Sequence, residues 1–148
     1  MGAACEFVGG IYSDCYGFEV GQSSCGDAFA WLQRVTGLDL AVASELAQLD
    51  SLTCEQAATM PLALEWFNGC RTPHNDAMLL SAISGLCLQS SRQDLYRAVL
   101  CGVICGIRTI VDNFEVADVP VTNLVVAGGL PSKIACLPQV CSKSTRAV

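Results

Sequence analysis

The residues best suited to chemistry follow a short apolar stretch near the carboxyl end of the chain. Residues 124–127 include no polar side chain, which predicts a strand buried on both faces. Gly128 and Gly129 come next and, because they lack Cβ atoms, they allow another group to approach the backbone closely. A phosphate or nucleoside beside a strand end requires such an approach, and Lys133 adds a nearby cation. Considered alone, the same glycines are also typical of an ordinary tight turn.

A second candidate site lies at the start of a predicted helix. Residues 17–27 include several small side chains, and Ser24 and Asp27 have the spacing of a capping box. Gly37 predicts the end of this helix. The free N–H groups at such a helix start can bind an anion or a polar sugar. A capped helix without any ligand accounts for these residues equally well.

The longest predicted element is a well-buried helix that begins with a second capping pair, Ser91 and Asp94. Its apolar residues recur at spacings of three and four: Leu95, Val99, Val103, Ile107, Ile110 and Phe114. Gly102 and Gly106 lie one turn apart within it, and each lowers helix propensity. We therefore expect close packing of a neighbouring element at both glycines.

Shorter elements complete the predicted architecture. Extended segments are expected at residues 6–8 and 16–20, and strands at residues 62–67 and 81–88. Asp39 has the position of a cap for a further short helix. Helices alternating with apolar strands predict an α/β fold with a mixed sheet and packed helices. The carboxyl-terminal edge of this sheet is expected to be incomplete.

Composition excludes several classes of protein. The 148 residues are enough for one domain with a real core, and 52% of them are hydrophobic. The net charge of −6 at pH 7 makes nucleic acid a poor partner. No run of about 18 apolar residues occurs, so we expect no membrane-spanning helix. The first residues lack the regions of a signal peptide, and a cytoplasmic location is therefore expected.

The ten cysteines are expected to be buried, reduced thiols rather than disulfides. No C-x-x-C motif occurs and His74 is the only histidine, so a zinc site would need scattered ligands. No metal-binding residue is therefore assigned. A thiol or metal protein is the alternative that the cysteine count leaves open.

Four segments together resemble the ribulokinases of the FGGY carbohydrate kinase family: residues 17–27 with a G-x-E-x-G-Q-S pattern, residues 65–73 with a W-F-N-G-x-R-T-P pattern, residues 96–108, and residues 128–133. The resemblance spans nearly the whole chain. It implies that residues 1–148 form a single partial domain, part of the C-terminal lobe of such an enzyme. The implied fold is an incomplete actin-like, ribonuclease H-like ATPase domain.

The resemblance also implies ligands and their positions. ATP with Mg²⁺ is expected to lie against five positions: Gly26, Ala30, Gly128, Gly129 and Lys133. Glu19 resembles the carboxylate that hydrogen-bonds sugar hydroxyls, although a solvated loop acid is an equal interpretation. Asn68, Arg71 and Pro73 are expected to shape a loop rather than to touch the substrate.

The departures from the family pattern concern catalysis. Ribulokinases carry a catalytic aspartate in an Asp-Ala-His-like motif, followed by a Gly-Thr phosphate loop, and neither occurs in this sequence. No catalytic residue is therefore assigned. The predicted function is part of an ATP-dependent kinase for ribulose or a related ketopentose or polyol, inactive by itself. The alternative is a non-catalytic adenine-nucleotide-binding or interaction domain that self-associates through exposed apolar surface.

Overall fold

The computed structural model of the protein describes residues 5–8, 13–40, 59–123, 125 and 127–129. These ranges contain four strands and two helices. In chain order they are β1 (Cys5–Val8), β2 (Tyr16–Glu19), α1 (Gly26–Thr36), β3 (Leu62–Ala63), β4 (Ile83–Ser84) and α2 (Arg92–Val116). Residues 41–58, which include the helix predicted after Asp39, lie outside the described residues.

Helix α2 begins where the capping pair predicted it. The Asp94 backbone N–H donates to Ser91 Oγ at 3.2 Å, and the Ser91 backbone N–H donates to Asp94 Oδ2 at 2.9 Å. These two bonds form a complete capping box. The hydrogen bonds that Asp94 accepts from the backbone and hydroxyl of Ser91 lower the pKa of its carboxyl group. The predicted start of the long helix is therefore confirmed.

Helix α1 confirms its predicted end but not its predicted cap. Gly37 adopts a left-handed conformation with φ of 65°, and its N–H donates to the Gln33 carbonyl. The N-cap residue is Cys25, and no side chain provides a capping hydrogen bond. Ser24 instead points into the interior and is only 2% exposed. The capping box predicted for Ser24 and Asp27 is therefore wrong, because Ser24 precedes the cap position.

The core forms where α1 packs against the first half of α2. The Phe29 and Tyr96 rings lie at its centre, with centroids 5.6 Å apart and planes inclined by 49°. Nine buried residues make up this cluster: Ala28, Phe29, Leu32, Leu38, Tyr96, Val99, Leu100, Val103 and Ile104. Of the apolar stripe predicted for α2, Val99 and Val103 are buried in this core, and the partly buried Leu95 and Ile107 pack against it.

Strand β3 crosses α2 at the predicted glycines. A Cβ atom at Gly102 would lie 2.5 Å from the Ala63 carbonyl oxygen, so no side chain fits there. A Cβ atom at Gly106 would meet the side chains of Gln22 and Glu65. The close packing predicted at both glycines is confirmed. Strands β3 and β4 pair antiparallel, with Leu62 opposite Ser84.

The two predicted strands at residues 62–67 and 81–88 are shorter than expected. Strand β3 ends early because the chain turns at Glu65, whose carbonyl accepts the Phe67 N–H at 2.9 Å. The Phe67 ring then packs on Trp31 with centroids 4.9 Å apart. The amino-terminal extended segments are confirmed as strands β1 and β2, which pair antiparallel.

The apolar stretch before the two glycines differs from its prediction. Val125 is 88% exposed, and neither Val125 nor Ala127 is in a strand. The prediction of a strand buried on both faces is therefore wrong at these two residues, because the described chain packs nothing over Val125. Leu124 and Val126 lie outside the described residues. Over the described ranges, neither helix combines the length and hydropathy needed to cross a membrane.

Candidate functional site

Two candidate ligand residues lie on one loop between β2 and α1. Glu19 is the last residue of β2, and its side chain is 53% exposed. Gly26 is the first residue of α1 and is exposed, and no atom of the described part of the chain lies within 4 Å of the point where its Cβ would lie. The first N–H groups of a helix have no partner within the helix and carry partial positive charge. The loop that follows Glu19 therefore ends at the exposed start of α1.

A second loop, residues 65–73, fixes the first one in place. The Arg71 backbone N–H donates to Ser23 Oγ at 2.8 Å, and Thr72 Oγ1 donates to the Gly21 carbonyl at 3.0 Å. The Arg71 guanidinium lies 3.9 Å from Glu19 Oε1. These contacts join residues that are about fifty positions apart in sequence. Sequence reasoning gave Arg71 only a role in loop shape and did not connect it with Glu19.

The loop between β2 and α1 is anchored to helix α2 through Gln22. Its side-chain amide donates to the Val103 carbonyl at 3.1 Å, in the space that Gly106 leaves free. Glu65 shares that space, and its burial raises the pKa of its carboxyl group. Burial, followed by the charge of Glu65, also raises the pKa of the Cys105 thiol. Gly106 of α2 thus leaves the space in which Gln22 anchors the loop that follows Glu19.

A cleft of about 510 Å³ lies beside α1. Its lining comes from α1, from Ser24 and from the turn at residues 67–68: Ser24, Asp27, Ala30, Trp31, Arg34, Phe67 and Asn68. Ala30, one of the residues predicted to contact a nucleotide, is exposed at this cleft. The cleft therefore runs along the helix whose start is Gly26.

Gly128 and Gly129, near the carboxyl end, form a second stretch of backbone that another group could approach closely. Gly128 has a φ of 105°, which an L-residue with a side chain rarely adopts. At Gly128 and Gly129, no atom of the described residues lies within 4 Å of the point where a Cβ would lie. Lys133 lies outside the described residues. A common cleft for these glycines and Gly26 stays a prediction.

The thiols do not form a metal-binding group in the described part of the chain. No set of three histidine, cysteine or acidic side chains converges there. Cys15, Cys70, Cys87 and Cys105 are free thiols. Cys70 is buried, whereas Cys15 and Cys87 are exposed, so the expectation of buried thiols is wrong at these two residues. The Ser90 hydroxyl, which donates to Cys87 Sγ at 3.6 Å, lowers the pKa of this exposed thiol.

Curated relatives of the chain are sugar kinases. Ribulokinase from Shouchella clausii (strain KSM-K16) is 39% identical over 141 residues, which cover 88% of this chain and 25% of that enzyme. Ribulokinase from Halalkalibacterium halodurans is 36% identical over 141 residues, with the same coverage of each chain. The chain therefore spans about a quarter of the length of these relatives.

Solved structures establish the fold. Xylulose kinase from Bifidobacterium adolescentis superposes with a TM-score of 0.75 at 20% identity, covering 96% of this chain and 27% of that one. Plasmodium falciparum glycerol kinase with ADP gives a TM-score of 0.71 at 22% identity, covering 86% and 24%. The fold is therefore part of an actin-like ATPase fold, as the resemblance implied.

The C-terminal domain of the FGGY family of carbohydrate kinases matches residues 3–145, nearly the whole sequence. This match and the identity to ribulokinases agree with the motifs at residues 17–27 and 65–73. The chain is thus a ribulokinase-like member of the FGGY family of carbohydrate kinases and corresponds to that family's C-terminal domain.

Proposed function

We propose that this chain is the nucleotide-facing part of an ATP-dependent kinase that phosphorylates ribulose or a related ketopentose or polyol. The observation that carries the proposal is the loop between β2 and α1. It presents the Glu19 carboxylate and the open start of α1 at Gly26, and a second loop holds it through Arg71 and Thr72. A kinase of this class must hold a polyol and a polyphosphate near each other.

The nucleotide part of the proposal depends on open backbone. Gly26 begins α1, whose first N–H groups have no partner within the helix, and the described residues leave space for an anion there; such a site suits phosphate oxygens. Gly128 and Gly129 offer a second stretch of backbone without side chains, and we assign both to the nucleotide together with Ala30 and Lys133. ATP with Mg²⁺ would supply the phosphoryl group and the charge that balances it. The relative from Plasmodium falciparum was solved with ADP, which supports this assignment.

The sugar part of the proposal depends on Glu19. An ionised carboxylate accepts several hydrogen bonds, and a polyol offers several hydroxyl donors. Its side chain is 53% exposed, so a ligand can reach it. We therefore assign Glu19 to binding and orienting the sugar. The curated relatives that match this chain are named ribulokinases, which favours a ketopentose.

The general base is not assigned to this chain. The Asp-Ala-His-like motif that the family uses to remove the proton does not occur in the sequence. We therefore expect the isolated chain to bind Mg²⁺–ADP but to transfer no phosphoryl group. A cytoplasmic location, expected from the sequence, stays a prediction.

A chimeric enzyme tests the proposed activity. In it, this chain replaces the matching C-terminal part of Shouchella clausii ribulokinase, and a coupled assay measures ADP release with ribulose. We expect turnover that requires both ribulose and Mg²⁺. A chimera that folds and binds Mg²⁺–ADP but phosphorylates no ketopentose or polyol would contradict the proposal.

A second candidate function is a non-catalytic interaction domain that keeps nucleotide binding. Large apolar side chains near β3 and β4 favour it, because Met78 is 84% exposed, Leu80 is 80% exposed and Leu88 is fully exposed. Under this alternative the chimera is inactive while the isolated chain still binds ADP. The chimera assay therefore separates the two candidates.

A further inference from the structure

We propose that Arg71 is a positioning residue that orients the Glu19 carboxylate toward the hydroxyls of the sugar. The proposal rests on the proposed function, since it needs Glu19 to bind a polyol. It assigns Arg71 a role beyond the loop shape expected from the sequence. The partner of Arg71 lies on a different loop, and only the folded chain brings the two together.

The geometry places the guanidinium alongside the carboxylate. Arg71 Nη2 lies 3.9 Å from Glu19 Oε1, and both side chains are about half exposed, at 48% and 53%. The Arg71 side chain also passes over Gly21, where an added Cβ would lie 3.1 Å from both Cδ and Nη1. Gly21 therefore leaves the space through which the guanidinium reaches Glu19.

The side chain of Arg71 is separate from the contacts that hold the two loops together. The Arg71 backbone N–H donates to Ser23, and the Thr72 hydroxyl donates to Gly21. Neither bond uses the guanidinium, so we expect both to persist when it is replaced. An ion pair this long and this exposed contributes little to stability. What the guanidinium does provide is a fixed positive charge beside one oxygen of Glu19.

This positive charge limits the orientations that the half-exposed Glu19 carboxylate adopts before the sugar binds. A carboxylate on a loop can rotate and be solvated in several orientations, and each lost orientation lowers affinity. With Oε1 directed toward Arg71, Oε2 of Glu19 stays available to accept hydrogen bonds from sugar hydroxyls. Arg71 thus acts on sugar affinity through Glu19 and has no expected effect on the nucleotide.

The test uses the chimeric kinase described above with Arg71→Gln, Glu19→Gln and the double variant. Arg71→Gln should raise KM for ribulose about two- to fivefold, with kcat and KM for ATP nearly unchanged. Arg71→Lys, which keeps the charge, should recover part of that loss. Arg92→Gln removes the same charge from an exposed position at the start of α2 and serves as the matched control.

The double variant decides between positioning and other roles. If Arg71 acts through Glu19, Arg71→Gln adds little to the effect of Glu19→Gln. Equal effects of Arg71→Gln with and without Glu19 would overturn the proposal, because Arg71 would then act independently. Loss of ADP binding and thermal stability in Arg71→Gln would also overturn it, since the residue would then be structural. A folded parent chimera without turnover refutes the proposed function itself, and an active chimera with unchanged KM in Arg71→Gln refutes only the role of Arg71.

Discussion

Single glycines determine how closely the elements of this chain approach each other. At Gly102 the Ala63 carbonyl of β3 occupies the position of a side chain, and at Gly106 the side chains of Gln22 and Glu65 do so. Glycine lowers helix propensity, but at these two positions it allows a neighbouring segment to pack closely against α2. The spacing of the two glycines predicted this contact, although it gave no indication of which residues would fill the space.

Replacing Gly102 should therefore destabilise the fold. Gly102→Ala places a Cβ 2.5 Å from a backbone oxygen, so β3 or α2 must shift, at an expected cost of about 1–3 kcal/mol. Urea unfolding followed by circular dichroism measures the change. Gly26→Ala is the matched control and should be nearly neutral, because no described atom lies within 4 Å of the added Cβ. Equal stability of the two variants would contradict the packing described for α2.

Glu65 should make stability depend on pH in a defined direction. Burial raises its pKa above the ordinary value of 4.5, so the folded chain holds this proton more tightly than the unfolded chain. The contribution of Glu65 to folding stability is complete below the ordinary pKa and is lost as pH rises through the raised pKa. Glu65→Gln should therefore gain stability relative to wild type between pH 4 and pH 7, as measured by urea unfolding. A constant difference across that range would contradict the burial of this carboxyl group.

At the scale of elements, the two helices differ in how they begin. Helix α2 has a complete capping box, whereas α1 has Cys25 at its N-cap and no side-chain capping hydrogen bond. The sequence offered the same Ser-x-x-Asp spacing for both. The difference arises because Ser24 is held inside the fold, where its Oγ has no hydrogen-bond partner among the described residues. A cap motif in sequence thus predicts a helix start well but not which residue will provide the cap.

A pair of serine variants tests this difference between the helices. Ser91→Ala should destabilise the chain by about 1 kcal/mol, because it removes the capping hydrogen bond of α2. Ser24→Ala should be neutral or slightly stabilising, because a buried hydroxyl without a partner is costly. Chemical denaturation of both variants provides the comparison. A loss at Ser24 as large as that at Ser91 would show that Ser24 caps α1 after all.

The elements also show what sequence reasoning could reach. The apolar period of α2 is long, so its limits were predictable, and Val99 and Val103 of that period lie on its buried face. The strand predicted at residues 62–67 was too long, because Phe67 turns toward Trp31 on α1, a contact that no local pattern contains. The link between Glu19 and Arg71 is equally long-range. Local patterns therefore identified the candidate residues, and the folded chain supplied their partners.

At the scale of the whole molecule, the chain covers about a quarter of its ribulokinase relatives and leaves apolar side chains exposed. We expect it to self-associate as its concentration rises, and light scattering coupled to size exclusion measures this. The double variant Leu80→Ser, Leu88→Ser should reduce association, whereas Val35→Ser, an exposed apolar position on α1, should not. A wild-type chain that stays monomeric at every concentration would contradict this expectation.

The central claim is that the start of α1 and the glycines near the carboxyl end hold one nucleotide. Amide NMR of the ¹⁵N-labelled chain during titration with Mg²⁺–ADP tests it most directly. We predict saturable shifts of the Gly26 signal together with those of Gly128 and Gly129, while the signals of Leu62 and Ile83 stay in place. Saturable shifts that include only one of the two glycine sites, or no saturable shift at all, would contradict the account.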